Sequence, residues 1–454
     1  MTSASCASSS IDKTRTVSIA TTPTGINQPT VSATQVNDGL PDSLTEGIQI
    51  KFWHPWSGET ALAVEKMVEE FNLENDWGIT VSVFAKGDDN EITNSVDLAL
   101  INDEVPDLIA APDYAIQGWF EQGEIMNITA YLQSEKWGFT EQERNSIPNV
   151  FMEAVGNDNT YISIPAYRSA RMLFYNTTWA EELGINTPPE DMQQFKNRNC
   201  QALQANAQDR DVTNNGTGGW FFDIEAETVL SWLKAFNGGI IPNVTPKSIN
   251  FSTKENYDAF QYLFRLFHDD CAWIGKDDKP YMYFAGRKAL TYSGRIEDIL
   301  IQARAETIGG FEDEWTVMPY PGLNGKPIML ITGDSFAILT KDAQQALAGW
   351  LFARWMTYAP QSALIVEASG SLPITIRALD LLKEFRQNHP QWDKVLQLLP
   401  FAEKMPINSH WQVIAAVMQD SVWQLTQFYQ QESNLQIVLE QAESTMNELI
   451  ANDE

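Results

Sequence analysis

Cysteine, histidine and positive charge are all scarce in this chain of 454 residues, and each shortage weighs against a class of function. Only four histidines occur, His54, His268, His389 and His410, and none sits in an HExxH or other zinc spacing. The three cysteines, Cys6, Cys200 and Cys271, form no CxxC pair. No GxSxG elbow appears, and the stretch GTGGW lacks the GK[ST] ending of a phosphate loop, so it reads as an ordinary loop. No run of eighteen apolar residues is present, hence no membrane-spanning helix, and no apolar signal-peptide core is found either. Thirty Lys and Arg face sixty Asp and Glu, a formal net charge of −30. The mean field of such a chain repels polyanions, which argues against nucleic acid and anionic membrane surfaces as partners. No cofactor motif and no fixed-period repeat is found.

What is present is apolar and aromatic. A hydrophobic fraction of 43% and an aromatic fraction of 11% support full-sized cores, and the length fits two domains best. Fifteen tryptophans must be buried or must line a binding surface. Residues 1–45 differ: they are polar, rich in Ser, Thr and Pro, and free of aromatics, the composition of a flexible tether. Cys6, within MTSASCASSS, looks like the acylated first cysteine of a bacterial lipoprotein after its signal sequence is cut, although Ser3 stands where a leucine is usual. Cys200 and Cys271 are left either as a mutual disulfide, in an exported protein, or as two separately buried thiols.

From Gln49 the pattern is strand, helix, strand: IQIKFW, TALAVEKMVEEFN, ITVSVFA. SVDLALIN follows as helix and PDLIAAPDY as strand, so an α/β fold with a parallel sheet is expected. In such sheets ligands sit beyond the carboxyl ends of strands. FWHPWSG and APDY lie at such ends and should converge. Beyond Ser409 the sequence is long and helical.

Sixty acidic residues make carboxylate pairs unavoidable, so glycosidase chemistry stays open, with Asp113, Asp334 and Glu225 nearest the aromatic loops. A binding surface is the stronger reading. Trp53, Trp56, Tyr114, Trp119, Tyr167, Trp220, Trp232 and Trp411 supply flat faces suited to the C–H faces of sugar rings, and polar neighbours can meet hydroxyls. Any one of these aromatics alone is core packing by default. His54 is a hydrogen-bonding structural residue first and a ligand contact second. A surface adhesin or scaffold is the third alternative.

Several segments, in order, resemble one family. FWHPWSGETALAVEKMVEEFN, IPAYRSARMLFYN, FNGG, FAGRKALTYSGR, TGDSFAILTKDAQQALAGWLFARWM, SGSLPIT and MPINSHWQVI are similar to extracellular solute-binding proteins of bacterial ABC importers. The carbohydrate-binding group with the maltose- and glycerol-3-phosphate-binding proteins is the best match. The resemblance runs from about Gln49 to the C-terminus. It implies a two-lobed periplasmic-binding-protein fold, α/β, with crossing hinge strands and a helical C-terminal region. One lobe would hold 46–166 and 331–370; the other, 167–330 and 371–454. It also implies a monomer without catalysis, outside the cell membrane or in the periplasm, touching membrane only through a lipid anchor and delivering ligand to permease subunits.

By matching positions, Trp56, Asp113, Ser169, Ser293 and Gly333 fall where the glycerol-3-phosphate binder touches its ligand. Trp411 falls near an aromatic platform of the maltose binder. Trp53, His54, Tyr114, Tyr167, Arg168, Trp232 and Asp334 complete the expected ligand-binding set. Two departures favour a neutral sugar or oligosaccharide over a phosphate. Ser371 stands where the glycerol-3-phosphate binder has tyrosine, and MPINSHWQVI has no counterpart of its phosphate-gripping arginine. Arg168 keeps an anionic ligand as the alternative. Cys200 and Cys271 are expected on neighbouring helices of the second lobe.

Overall fold

The structure is a computed structural model that describes residues 39–152, 160–243, 248–276 and 280–452. Cys6 and most of the expected tether lie outside them. In chain order the strands are β1 (Gln49–His54), β2 (Thr80–Ala85), β3 (Leu108–Pro112), β4 (Ile164–Pro165), β5 (Ser169–Asn176), β6 (Gly218–Phe221) and β7 (Ile241–Asn243). They continue with β8 (Ser248–Asn250), β9 (Ala272–Trp273), β10 (Ala289–Arg295), β11 (Trp315–Met318), β12 (Met329–Thr332), β13 (Asp334–Ile338) and β14 (Ala402–Lys404).

They build two main sheets. The first runs β2-β1-β3-β13-β4; the second runs β14-β12-β5-β10-β6-β9, with β11 also on β5. Neither is wholly parallel as expected. β13 is antiparallel to β3 and β4, and β5 is antiparallel to β10, β11 and β12. The reversed strands are those that enter from the other lobe, a direction that strand–helix alternation cannot encode.

Local sequence explains the elements near the cleft. In β1, Ile50, Phe52 and His54 are buried while Gln49 and Lys51 face out, the two-residue period of a half-buried strand. Helix Gly58–Glu74 buries Val64, Met67, Val68 and Phe71 on one stripe. Asp88 closes a capping box with Glu91 at the start of helix Asp89–Asn102. Pro112 ends β3, and Asp113 opens helix Asp113–Glu121 instead of extending the strand. Gly218 and Gly219 belong to β6 rather than to a loop. A side chain at Gly219 would meet the Cys271 carbonyl oxygen at 2.2 Å, which explains why glycine is tolerated in that strand.

Aromatic packing fills both interiors. Phe52, Phe71 and Phe352 pack edge to face against the first sheet, and Phe195, Trp220, Trp232 and Tyr320 pack within the second lobe. Cys200 and Cys271 form a disulfide. Cys200 lies on helix Met192–Gln208 as expected, but Cys271 sits in the turn before β9, past the end of helix Lys254–His268.

Three segments cross between the sheets side by side. Residues 166–168 join β4 to β5, Gly333 joins β12 to β13, and residues 370–372 leave helix Ala359–Ser369 for the second lobe. Tyr167 N and Ala166 N donate to the Asp334 carbonyl at 3.1 and 3.0 Å, and Leu372 N donates to the Arg168 carbonyl at 2.8 Å. β12 keeps pairing with β5 through Thr332, so the passage falls at Gly333, two residues beyond the expected 331. Gly333 has φ +140°, and a Cβ there would lie 2.1 Å from the Tyr167 carbonyl oxygen. The close approach of the crossing segments requires glycine at that point.

Candidate ligand-binding cleft

The carboxyl ends of β1, β3 and β10 and the start of β13 open onto one cavity of about 610 Å³ between the two sheets. Trp56, Tyr114, Tyr167 and Trp411 wall it. Trp56 comes from the loop after β1, Tyr114 from the start of helix Asp113–Glu121 after β3, Tyr167 from a crossing, and Trp411 from the start of helix Trp411–Leu425. Each polar wall has its own source. Asp88, Asp89 and Asn90 follow β2, Glu227 follows β6, Arg295 ends β10 with Glu297 and Asp298 just past it, and Asp334 opens β13.

The sequence-derived set separates on this geometry. Trp56, Tyr114, Tyr167, Ser169, Gly333, Asp334 and Trp411 line the cavity. Trp53 does not, because strand alternation points it to the opposite face, where Lys86 Nζ lies 3.6 Å from its ring centre. His54 lies under the floor, fully buried, with Nδ1 accepting the Trp56 backbone N–H at 3.2 Å and its ring stacked on the Trp56 indole. Burial keeps it neutral by lowering its pKa to about 4. Trp232 is fully enclosed by Phe195, Trp220 and Tyr320, so it is core. Trp220 is equally enclosed, and Trp119 is buried with its indole N–H on Asp97. Ser293 is a buried residue of β10, opposite Leu173, outside the cavity wall.

Arg168 and Asp113 hold the hinge instead of the cavity. The Arg168 guanidinium is buried, donating to the carbonyls of Tyr167, Asp334 and Phe151 and to Ser335 Oγ, with Asp113 at 3.6 Å. Both terminal nitrogens are engaged, Nε alone lacks a partner among the described residues, and the side chain is 1% exposed and outside the cavity wall. Lys404 Nζ, from β14 of the second sheet, lies 3.4 Å from the same Asp113 carboxylate, so this ion cluster spans both lobes. Burial opposes the charge on Asp113, but Arg168, Lys404 and the Ser335 hydroxyl outweigh it and hold its pKa below the usual carboxylate range.

Inside the cavity, Trp56 Nε1 donates to Asp334 Oδ2 at 2.8 Å. Tyr167 Oη and Ser169 Oγ donate to the two oxygens of Glu297 at 2.9 and 2.7 Å. Arg295 Nη2 donates to both oxygens of Glu227 at 2.9 Å. Burial raises the pKa of Asp334 well above normal, and Asp89 adds repulsion. Asp89 itself faces the cleft; the desolvating walls, Glu227 and Asp88 push it up to about 6 against the pull of Arg295. Opposite the hinge the lobes also touch: Ser409 Oγ donates to Glu121 at 2.9 Å, and Gln412 Nε2 donates to Asn90 at 3.2 Å. The cleft is therefore bridged on both sides, a closed arrangement.

The acidic residues at the ends of β2 and β10 escaped the sequence reading. KGDDN and GRIED each follow a strand, so the strand-end rule applied to FWHPWSG and APDY would have found them.

A family model described as bacterial extracellular solute-binding protein matches residues 66–393, more than half the chain. The chain belongs to this family. This extracellular solute-binding protein is a binding component of ABC import rather than an enzyme. It is 21% identical over 363 residues to the sn-glycerol-3-phosphate-binding periplasmic protein UgpB of Rhizobium meliloti (strain 1021), covering 77% of this chain and 81% of that one. Its fold matches the sugar-binding protein MalE from Xanthomonas citri, with TM-score 0.73, 17% identity, and coverage of 89% and 100%. It also matches the cyclic alpha-maltosyl-1,6-maltose binding protein from Arthrobacter globiformis, with TM-score 0.72, 15% identity, and coverage of 89% and 99%. The two-sheet periplasmic-binding fold expected from sequence is thus the fold of the solute-binding protein. Among the described residues no helix is long and apolar enough to cross a membrane.

Proposed function

We propose that the solute-binding protein captures a sugar or oligosaccharide between its lobes and delivers it to an ABC-type permease. The observation that carries this reading is the convergence of Trp56, Tyr114, Tyr167 and Trp411 on one interlobe cavity ringed by carboxylates. Aromatic faces take the C–H faces of sugar rings, and carboxylates accept from hydroxyls. The size supports it, since about 610 Å³ lies within the usual range for small-molecule pockets.

Micromolar affinity corresponds to about −8 kcal/mol. Two or three aromatic contacts of about 1 kcal/mol each, with hydrogen bonds from both lobes, account for a good part of it. A ligand that touches both lobes binds the closed form better and draws the hinge shut. The lobes are read as 46–166 with 333–370 and 167–332 with 371–454, acting as a monomer, with Cys6 as a lipid tether if it is acylated.

Glycerol phosphate is the second reading, favoured by the Rhizobium relative. The charge of the cleft weighs against it. Among the described residues Arg295 is the one cation in the cavity wall, and its guanidinium is engaged by Glu227. Calorimetric titration with a panel of mono- to tetrasaccharides and sn-glycerol-3-phosphate tests the proposal. Recovery of unaltered sugar after saturable binding is the expected result. Binding of glycerol phosphate alone would overturn it.

A further inference from the structure

Six carboxyl groups line the cavity: Asp88, Asp89, Glu227, Glu297, Asp298 and Asp334. Among the described residues only Glu227 has cations within ion-pair distance, Arg295 at 2.9 Å and Arg171 at 3.7 Å. Four of the other five are held by neutral groups. Asp334 takes the Trp56 indole N–H, and Glu297 takes the Tyr167 and Ser169 hydroxyls. Asp298 takes the Tyr281 hydroxyl and the Arg295 backbone N–H, and Asp88 caps its own helix. Among the described residues the Asp89 carboxylate accepts no hydrogen bond, while its backbone carbonyl takes the Thr93 hydroxyl.

Acidic groups sharing one half-enclosed cavity repel one another as they ionise; burial and that repulsion hold Asp334 toward its neutral form, and neutral donors cancel neither. A bound group of opposite charge would. A metal ion is a poor candidate, because among the described residues no three His, Cys, Asp or Glu side chains gather as a ligand set. The walls name a better one. Trp56, Tyr114, Tyr167 and Trp411 surround the same space, and aromatic faces attract ammonium groups as they attract sugar C–H faces.

We propose that this cleft selects a sugar carrying a protonated amine, with the ammonium placed among Asp334, Asp89 and the aromatic walls. The inference rests on the sugar reading above and narrows it to amino sugars. The ring stacks on the indoles, its hydroxyls reach Glu297 and Asp298, and the cation balances the carboxylates nearest Trp56.

The test compares fully deacetylated chito-oligosaccharides of one to four residues with gluco-oligosaccharides of the same β-1,4 linkage and length, and with their N-acetylated forms. Each pair differs only in an ammonium, hydroxyl or acetamide at C2 of each residue. Titration calorimetry on the whole chain at pH 7 should show the amine form bound at least tenfold more tightly than the hydroxyl form at one of these lengths. In Asp334→Asn and Asp89→Asn that ratio should fall to about threefold or less; two variants guard against one failing to fold. Equal affinity for amine and hydroxyl forms would overturn the amine assignment while leaving a sugar binder. A ratio that persists in both folded variants would also overturn it. Binding of no sugar of any kind would overturn the sugar reading itself.

Discussion

Trp56 and Asp334, 278 positions apart in sequence, share a 2.8 Å hydrogen bond that joins the loop after β1 to the first residue past the Gly333 crossing. The indole is only 7% exposed and lies against Phe52, His54, Phe336 and Tyr167. One side chain therefore serves as floor of the cavity and as part of the first lobe's core.

Replacing Trp56 should for that reason affect both properties. Trp56→Ala is expected to lower stability by about 3 kcal/mol through the cavity it leaves, and to weaken sugar binding at least tenfold. Trp56→Phe keeps a ring but removes the bond to Asp334, and should cost about 1 kcal/mol. Urea denaturation with titration calorimetry on the folded fraction separates the two. Unchanged stability in the alanine variant would mean that the indole is not packed as described.

The Asp113 carboxylate, shared between Arg168 and Lys404, gives the hinge an ion cluster that is complete only when β14 approaches helix Asp113–Glu121. Lys404→Met should leave Asp113 with Arg168 and the Ser335 hydroxyl and loosen the closed form by about 1 kcal/mol, lowering ligand affinity roughly fivefold. Small-angle scattering in the absence of ligand should report a larger radius of gyration. An unaltered radius with unaltered affinity would show that Lys404 does not favour closure.

The Cys200–Cys271 disulfide closes a span of 71 positions in the second lobe, away from the cleft walls. Removing it as Cys200→Ala/Cys271→Ala should cost about 4 kcal/mol by restoring freedom to the unfolded chain. Ligand affinity at low temperature should hold within about twofold, the additivity limit for distant sites. A large loss of affinity in the folded double variant would show coupling between bridge and cleft.

Acid should destabilise the fold through His54. Its folded pKa of about 4 lies below the unfolded value near 6.5, so unfolding takes up a proton as pH falls between them. Between pH 7 and pH 5 this removes about 2 kcal/mol of stability. Asp89 and Asp334 act in the opposite sense, because their raised pKa values let the folded state bind protons first. The comparison with His54→Asn isolates the histidine: the variant's stability deficit should shrink by about 2 kcal/mol from pH 7 to pH 5. A constant deficit would mean that His54 titrates normally in the folded chain.

Much of the architecture was legible because hydrophobic period and strand-end position are local signals. The β1-to-β3 succession and the convergence of Trp56 and Tyr114 follow from them. Strand direction was not legible, because β13 enters the first sheet from the other lobe. Face was misjudged at Trp53 for want of the two-residue alternation that separates it from His54. Trp232 and Arg168 carry side chains whose chemistry suits a ligand, and only tertiary burial assigns one to the core and the other to the hinge. Of the cleft acids Asp334 was expected, while Asp88, Asp89, Glu227, Glu297 and Asp298 are hidden among sixty carboxylates.

The three adjacent crossings at 166–168, Gly333 and 370–372 carry a practical consequence. Each half of the molecule is assembled from separate stretches of polypeptide, so a protease that nicks a single connection releases neither half. Engineers who want either half as an isolated product must rewire the order of the chain, because trimming it cannot suffice.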